Sequence, residues 1–286
     1  MKRNVIYNII ILIFMAYIFI NQSMINDVVI NSSYIFLSKV LGNITIIYII
    51  SNLLINYNFI YYISKIFKGN IFPYIFIMTF FTGAPNNAIM IKDFLSKKLI
   101  NDKEASICLG ASNFINPLFL YSFLSLYLNK INIISIFISL ILSNLIIYFK
   151  SKIKINCLTK IETTSFSVVL SKSLKSLGSI LLNIYLTIIL FNIIMLFLPN
   201  NLHCFKGILE ITNGLNYLSE VNLNNNIKSF LSIIYICFGG LAINTQIKSI
   251  IIDTNIDYVY FIKCRLKQII LSLIIYFGII KFLLLI

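Results

Sequence analysis

Of the side chains on which most catalytic and metal sites are built, this chain has little: one histidine, nine acidic residues and five scattered cysteines. His203 stands alone, which removes His-based metal binding and His-based catalysis. Cys108, Cys157, Cys204, Cys237 and Cys264 show no C-x-x-C spacing. An odd number set in apolar or flanking sequence reads as small core residues, not a disulfide framework or a metal site. Asp93, Asp102 and Glu104 lie beside Lys92 and Lys103 and read as solvated loop charges. No phosphate-binding glycine loop, no carboxylate pair at catalytic spacing and no nucleophile–base arrangement occurs. The expectation is a protein that is not an enzyme, with no catalytic residue, no cofactor and no metal.

What the chain has in abundance is apolar surface. It is 59% hydrophobic and only 11% charged, with a mean hydropathy of +0.93. Runs such as residues 131–149 and 177–198 reach the roughly 20 apolar residues that cross a hydrocarbon core about 30 Å thick. A soluble chain of this length could not hide them all in one core. The net charge of +14 sits in the short links between apolar runs, without aromatic–basic interleaving. Positive-inside topology accounts for it, and a nucleic-acid partner is excluded. Met1-Lys2-Arg3 ahead of Val5–Ile20, with no small-x-small cleavage pattern in Asn21-Gln22-Ser23-Met24, predicts an uncleaved signal-anchor with a cytoplasmic N-terminus.

Threading the runs through a bilayer exposes a phase problem. Spans at 5–20 and 35–56, with an outer loop at 21–33, return the chain to Lys65 and Lys68 inside. If residues 71–91 then crossed, the loop of Lys92, Lys97, Lys98 and Lys103 would lie outside. A re-entrant hairpin at 71–91 keeps it inside. Spans at 105–128 and 131–149 lead to a basic loop at 150–176 that carries Lys150, Lys152, Lys154, Lys160, Lys172 and Lys175. Spans at 177–198, 229–252 and 268–286, with a second re-entrant segment near 205–220, complete the path. The segments of 35–149 and 177–286 then follow the same order with opposite orientation. The expected fold is all-α: a polytopic integral membrane protein of two inverted-topology repeats containing re-entrant or broken helices, which meet at a midplane site. The expected divisions are 1–34, signal-anchor and outer loop; 35–149, first repeat; 150–176, basic cytoplasmic loop; and 177–286, second repeat.

Four polar breaks are the candidate site. Thr82-Gly83-Ala84-Pro85-Asn86-Asn87 combines residues that end or turn a helix with two amides free to meet a solute. In Ser112-Asn113-Phe114-Ile115-Asn116-Pro117, Pro117 lacks the donor that would reach Asn113, freeing that carbonyl for a solute, an ion or water. Gly207-Ile208-Leu209-Glu210-Ile211-Thr212-Asn213-Gly214 holds the one acid that would dip into the membrane, and an intramembrane acid is functional by default. If that stretch is instead an interfacial helix, Glu210 is in water. Phe238-Gly239-Gly240-Leu241-Ala242-Ile243-Asn244-Thr245-Gln246 permits close helix approach or unwinding and supplies further donors and acceptors. Candidate substrate contacts are Thr82, Gly83, Pro85, Asn86, Asn87, Asn113, Asn116, Thr212, Gly239, Gly240, Asn244 and Gln246, with Glu210 in a coupling or gating role.

The same segments carry a resemblance. The chain resembles the YlbJ (SpoVV) family of sporulation integral membrane proteins, in the nucleoside-recognition or Gate-domain group related to concentrative nucleoside transporters. Thr82–Ala88 is similar to a Ser-Gly-Tyr-Pro-x-Gly-Ala-Lys motif, and Ser112–Phe119 to Asn-Asn-Ser-Gly-Pro-Leu-Phe. Gly207–Gly214 is similar to Gly-Leu-x-Glu-x-Thr-x-Gly, and Phe238–Leu241 with Gln246, Asp253-Thr254 and Arg265 to the C-terminal block. The chain departs at Ala84, Asn87, Phe114, Ile115 and Asn116, and has Asn244 where a histidine is expected. The resemblance implies a bacterial multi-pass membrane protein of the outer forespore membrane that moves a small anion such as dipicolinate. Alternatives are a permease for nucleosides or other small polar solutes, and a non-transporting scaffold for spore assembly. The expected partners are a small-molecule solute and the lipid bilayer; assembly as a homo-oligomer is left open.

Overall fold

The computed structural model describes residues 2–155, 163–197, 199 and 204–285; Cys157, Lys160 and His203 lie outside them. Among the described residues there is no β-strand. The helices are α1 (Lys2–Ile20), α2 (Gln22–Ile35), α3 (Gly42–Asn56), α4 (Phe59–Ile66), α5 (Phe72–Thr82), α6 (Asn86–Ser96), α7 (Asp102–Ala111), α8 (Pro117–Leu124), α9 (Lys130–Lys150), α10 (Phe166–Met195), α11 (Lys206–Leu209), α12 (Ile211–Glu220), α13 (Asn225–Phe238), α14 (Gly240–Ile251) and α15 (Tyr258–Leu283). A π-helical turn, Phe36–Leu41, joins α2 to α3.

Local chemistry sets many of these limits. The Asn101 side chain accepts from the Glu104 amide while Glu104 reaches back to the Asn101 amide, a reciprocal cap that starts α7. Asn129, Asn224 and Asp257 cap α9, α13 and α15 in the same sense. Proline in the first turn opens α5 and α8, where its missing amide costs nothing.

Four of the described helical stretches are long and apolar enough to cross a membrane: Lys130–Lys150, Phe166–Met195, Asn225–Ile251 and Tyr258–Leu283. The pair Val5–Ile20 and Gln22–Ser38, bent by 91°, makes a fifth if it counts as one span. Apolar residues left exposed form stripes at helical spacing, such as Leu182, Leu186, Leu190 and Ile194 on α10 and Leu266, Ile270, Ile274 and Phe277 on α15. Stripes of that size suit contact with lipid, not water. The chain is an all-α, multi-pass membrane protein.

Two expected boundaries move. The segment expected as an outer loop at 21–33 is helical: Ile25 and Ser32 are buried on one face of α2, which packs on α10, so apolar spacing outweighs polar composition there. The basic loop is also shorter than 150–176, because α10 begins at Phe166 and carries Lys172 and Lys175 on its first turns.

Both expected re-entrant segments fold back on themselves. The rings of Tyr74, near the start of α5, and Phe94, near the end of α6, lie 6.1 Å apart, so the two arms run antiparallel. In the second hairpin Gly214 of α12 lies directly against Gly207 of α11. The hairpins are then exchanged between halves: α6 packs on α14, and α12 packs on α8. One core unites α5, α6 and α7 with Ile247 and Ile251 of α14. The other unites Phe119, Leu120 and Phe123 of α8 with Ile211, Leu215 and Leu218 of α12. Each half-helix beyond a break is thus clasped by the other repeat's hairpin. Between the repeats, α9 and α15 pack closely along small residues, where Ser272 donates to Ser143 at 2.8 Å.

Candidate functional site

The breaks in the first repeat are built against one another. Gly83 (φ 71°) ends α5, and a Cβ there would sit 2.6 Å from the Asn116 backbone nitrogen. Only glycine permits both the left-handed φ and this approach. Across the contact, the Ala84 amide donates to the Phe114 carbonyl at 2.7 Å, and Asn116 Nδ2 donates to the Phe81 carbonyl at 2.9 Å. Asn116 Oδ1 accepts from the Leu118 and Phe119 amides at 2.9 and 3.1 Å. One side chain therefore caps α8 and ties the hairpin tip to it. The Ala84–Pro85 peptide is cis.

In the second repeat the cap is a carboxylate. Glu210 is 3% exposed, so the interfacial alternative with Glu210 in water does not hold. Its Oε2 accepts from the Asn213 amide at 3.0 Å, from Asn213 Nδ2 at 2.9 Å and from the Thr212 hydroxyl. Asn213 also donates to Asn192 of α10, whose Nδ2 donates to Ser32 of α2 at 2.6 Å. Gly240 (φ 69°) brings the start of α14 against this break, its Cβ direction 3.3 Å from Glu210 Cα.

The four breaks surround one small cavity of about 50 Å³. Thr82, Pro85 and Asn116 reach it from the first repeat; Glu210, Thr212 and Gln246 reach it from the second. Apolar side chains of α10, including Ile184 and Ile188, close one wall. Such a volume holds one or two waters, each taking about 30 Å³. Two larger clefts adjoin it. The first, of about 460 Å³, runs from Thr82 and Asn86 past Asn52 and Asn56 to Lys97 and Lys172. The second, of about 450 Å³, shares Pro85 and Gln246 with the cavity and extends along Asn183 and Thr187. Both lie in the size range of small-molecule sites.

The lining is rich in unmet acceptors. Asn86 Oδ1 and Gln246 Oε1 are buried without a hydrogen-bond partner, although buried polar atoms are otherwise nearly always paired. Both ion pairs among the described residues lie outside the cavity, Lys92–Asp253 at 2.6 Å and Lys97–Asp93 at 2.7 Å. Among the described residues no group of three His, Cys, Asp or Glu could hold a metal ion.

Not every candidate faces the cavity. Asn87 Nδ2 donates to Asn113 Oδ1 at 2.9 Å, and Asn87 Oδ1 accepts from the Ala88 amide at 2.8 Å, so both groups of Asn87 are engaged within the protein. The Asn113 carbonyl that Pro117 frees is not open to a solute. It accepts from Asn144 Nδ2 at 3.3 Å and from Arg265 Nη1 at 3.1 Å. Asn244 Nδ2 donates to the Phe238 carbonyl at 3.1 Å, the group released at the Gly239 turn. Gly83, Gly239 and Gly240 shape the breaks and contribute no side chain.

Arg265, which the sequence reading matched to the C-terminal block but left out of the candidate site, sits in the run Lys263, Arg265, Lys267 and resembles a loop flank. It is fully buried and donates to the carbonyls of Gly110 and Asn113 and to Gln268 Oε1. The two carbonyls are groups left open where α7 ends, where a cation also complements the helix dipole. The available signal was its spacing with Phe261, Gln268 and Ser272, which puts an arginine on the buried face of α15.

Comparison with protein-family models, with curated proteins and with solved structures finds no match for this chain.

Proposed function

We propose that this chain is a transmembrane carrier of a small polar solute, working by alternating access between two repeats that exchange hairpins. The observation that carries this reading is the convergence of all four broken segments, from both halves, on one cavity flanked by two solute-sized clefts. Irregular backbone at membrane depth is tolerated where it lines such a cavity. The cleft that reaches Lys97 and Lys172 opens on the side that loop charge assigns to the cytoplasm.

The chemistry of the lining selects among solutes. Buried, unpaired Asn86 and Gln246 oxygens and the Glu210 carboxylate ask for donors. The first amides of α8 and α12 are already occupied by Asn116 and Glu210, so an incoming dianion would find neither a free cation nor a free helix start in the cavity. A neutral solute with several N–H or O–H groups, of the nucleoside kind, fits better than dipicolinate. The sporulation setting and the dipicolinate cargo follow from the motif resemblance alone and form a second arm of the test.

Counterflow into proteoliposomes tests both arms, with labelled uridine and labelled dipicolinate as probes. Uridine uptake by the wild type, lost in Glu210→Gln and Gln246→Ala at equal reconstituted protein, is the expected result. Dipicolinate uptake without uridine uptake would reverse the choice of solute. Wild-type vesicles that accumulate neither probe nor any of a panel of polar metabolites would leave the scaffold alternative in its place.

A further inference from the structure

A cavity of about 890 Å³ touches none of the four breaks. It lies where α7, α9 and α15 pack together, and it is lined by one lysine from each: Lys103, Lys150 and Lys267. Lys103 stands at the start of α7, Lys150 at the end of α9, and Lys267 where the apolar part of α15 begins. All three therefore sit at one membrane boundary, on the side carrying the basic loops. They are exposed, and neither ion pair of the described residues includes them. Two acids, Asp102 and Asp257, line the same cavity, so the three lysines exceed them by one charge; Asp257 Oδ1 is held at the start of α15 by the Tyr260 amide at 2.9 Å, and Asp102 Oδ2 accepts from Asn255 Nδ2 at 3.5 Å.

The floor of the same cavity is apolar. Ile147, Ile270 and Leu271 line it, and Ile270 continues into the exposed stripe of Ile274 and Phe277 along α15. A pocket with three unpaired ammonium groups at the boundary and an apolar track leading into the hydrocarbon has two halves. They match one kind of ligand, an anionic headgroup joined to an acyl chain. We propose that this cavity is a binding site for an anionic phospholipid, with the headgroup phosphate among Lys103, Lys150 and Lys267 and an acyl chain along Ile270 and Ile274. The site needs only the membrane placement of the chain and stands independently of solute transport.

Native mass spectrometry of the full chain in an uncharged detergent tests it, with phosphatidylglycerol and phosphatidylcholine of matched acyl chains as competing probes. The wild type is expected to retain phosphatidylglycerol over phosphatidylcholine by about tenfold. The triple variant Lys103→Gln, Lys150→Gln, Lys267→Gln should bring that ratio close to one, and arginine at the same three positions should preserve it. Glutamine at Lys65, Lys68 and Lys281 should leave it unchanged. Ile270→Glu, at an exposed position, should lower the ratio with all three lysines intact, which keeps the test open if the triple variant fails to fold. Equal lipid preference in the wild type and in both the glutamine and Ile270→Glu variants would overturn the site. Thermal stabilisation by inorganic phosphate equal to that by phosphatidylglycerol would assign the pocket to a soluble anion and overturn the lipid.

Discussion

The two repeats solve the same problem with different materials. Each interrupts two helices and must satisfy the backbone groups that the interruptions release. In the first repeat neutral amides do this: Asn116 caps α8 and Asn87 pairs with Asn113, while Arg265 pins the carbonyls at the end of α7. In the second repeat an acid does it, and the chain Glu210–Asn213–Asn192–Ser32 links the break to α10 and α2. The first arrangement is braced by a buried permanent charge and has little latitude. The second depends on a group that can gain a proton or meet a cation, and it ties a hairpin to α10, which walls both clefts. The comparison assigns rigidity to the first break and adjustment to the second.

Removing the brace should have the largest effect. Arg265→Gln takes the guanidinium donor from the buried Gly110 carbonyl and leaves the Asn113 carbonyl with Asn144 alone, and loss of about 3 kcal/mol is expected. It would be read as a collapse of the monodisperse peak after mild heating in detergent. If Arg265→Gln were no less stable than Glu210→Gln, the contrast between the breaks would fail. Gly83→Ala should cost about 2 kcal/mol, since it meets both an unfavourable φ and the Asn116 backbone. Gly240→Ala meets an unfavourable φ and backbone atoms of the second break at 3.3 Å, a milder approach than the 2.6 Å at Gly83, and should cost less, about 1.5 kcal/mol. Melting both variants side by side sharpens the comparison, and the reverse order would argue that the second break is the stiffer.

Glu210→Gln is the complementary case. The amide keeps an acceptor toward Asn213 and Thr212, so stability should change by less than about 1 kcal/mol. Transport should nevertheless fall by about tenfold or more if the ionisable group biases the hairpin. The smallest effect belongs to the surface link between repeats. Lys92, chiefly through its hydrogen bond, holds the Asp253 carboxyl below the usual carboxylate range. A depressed folded-state pKa stabilises above the unfolded value, and that contribution disappears as pH falls through the folded one. Asp253→Asn should therefore flatten the acid limb of a pH–stability profile slightly and leave its neutral plateau unchanged. An exposed pair of this kind adds little.

Much of this architecture could be read from residue order. Loop charge alone required that 71–91 turn back, and Tyr74 beside Phe94 shows that it does. The positions of the breaks followed from glycine and proline, whose backbone limits act locally. What stayed hidden was which freed groups find partners inside the protein. The Asn113 carbonyl lies 152 residues from the arginine that takes it, and no local pattern encodes that meeting. Composition also misled at 22–35, where Asn26, Asp27, Asn31, Ser32 and Ser33 suggest a loop. The helix there is held by burial against α10, a tertiary contact that overrides propensity.

The length of α10 has a consequence of its own. Thirty residues rise about 45 Å at 1.5 Å each, half again the depth of the oily layer. Its first three turns, with Lys172 and Lys175, therefore stand like a mast in the aqueous phase, or the whole rod leans. Upright, this mast would, on the carrier reading proposed above, make an arriving solute slide past a fixed positive post before it reaches the bilayer plane. Selection would then begin in water, well ahead of any narrowing in the protein.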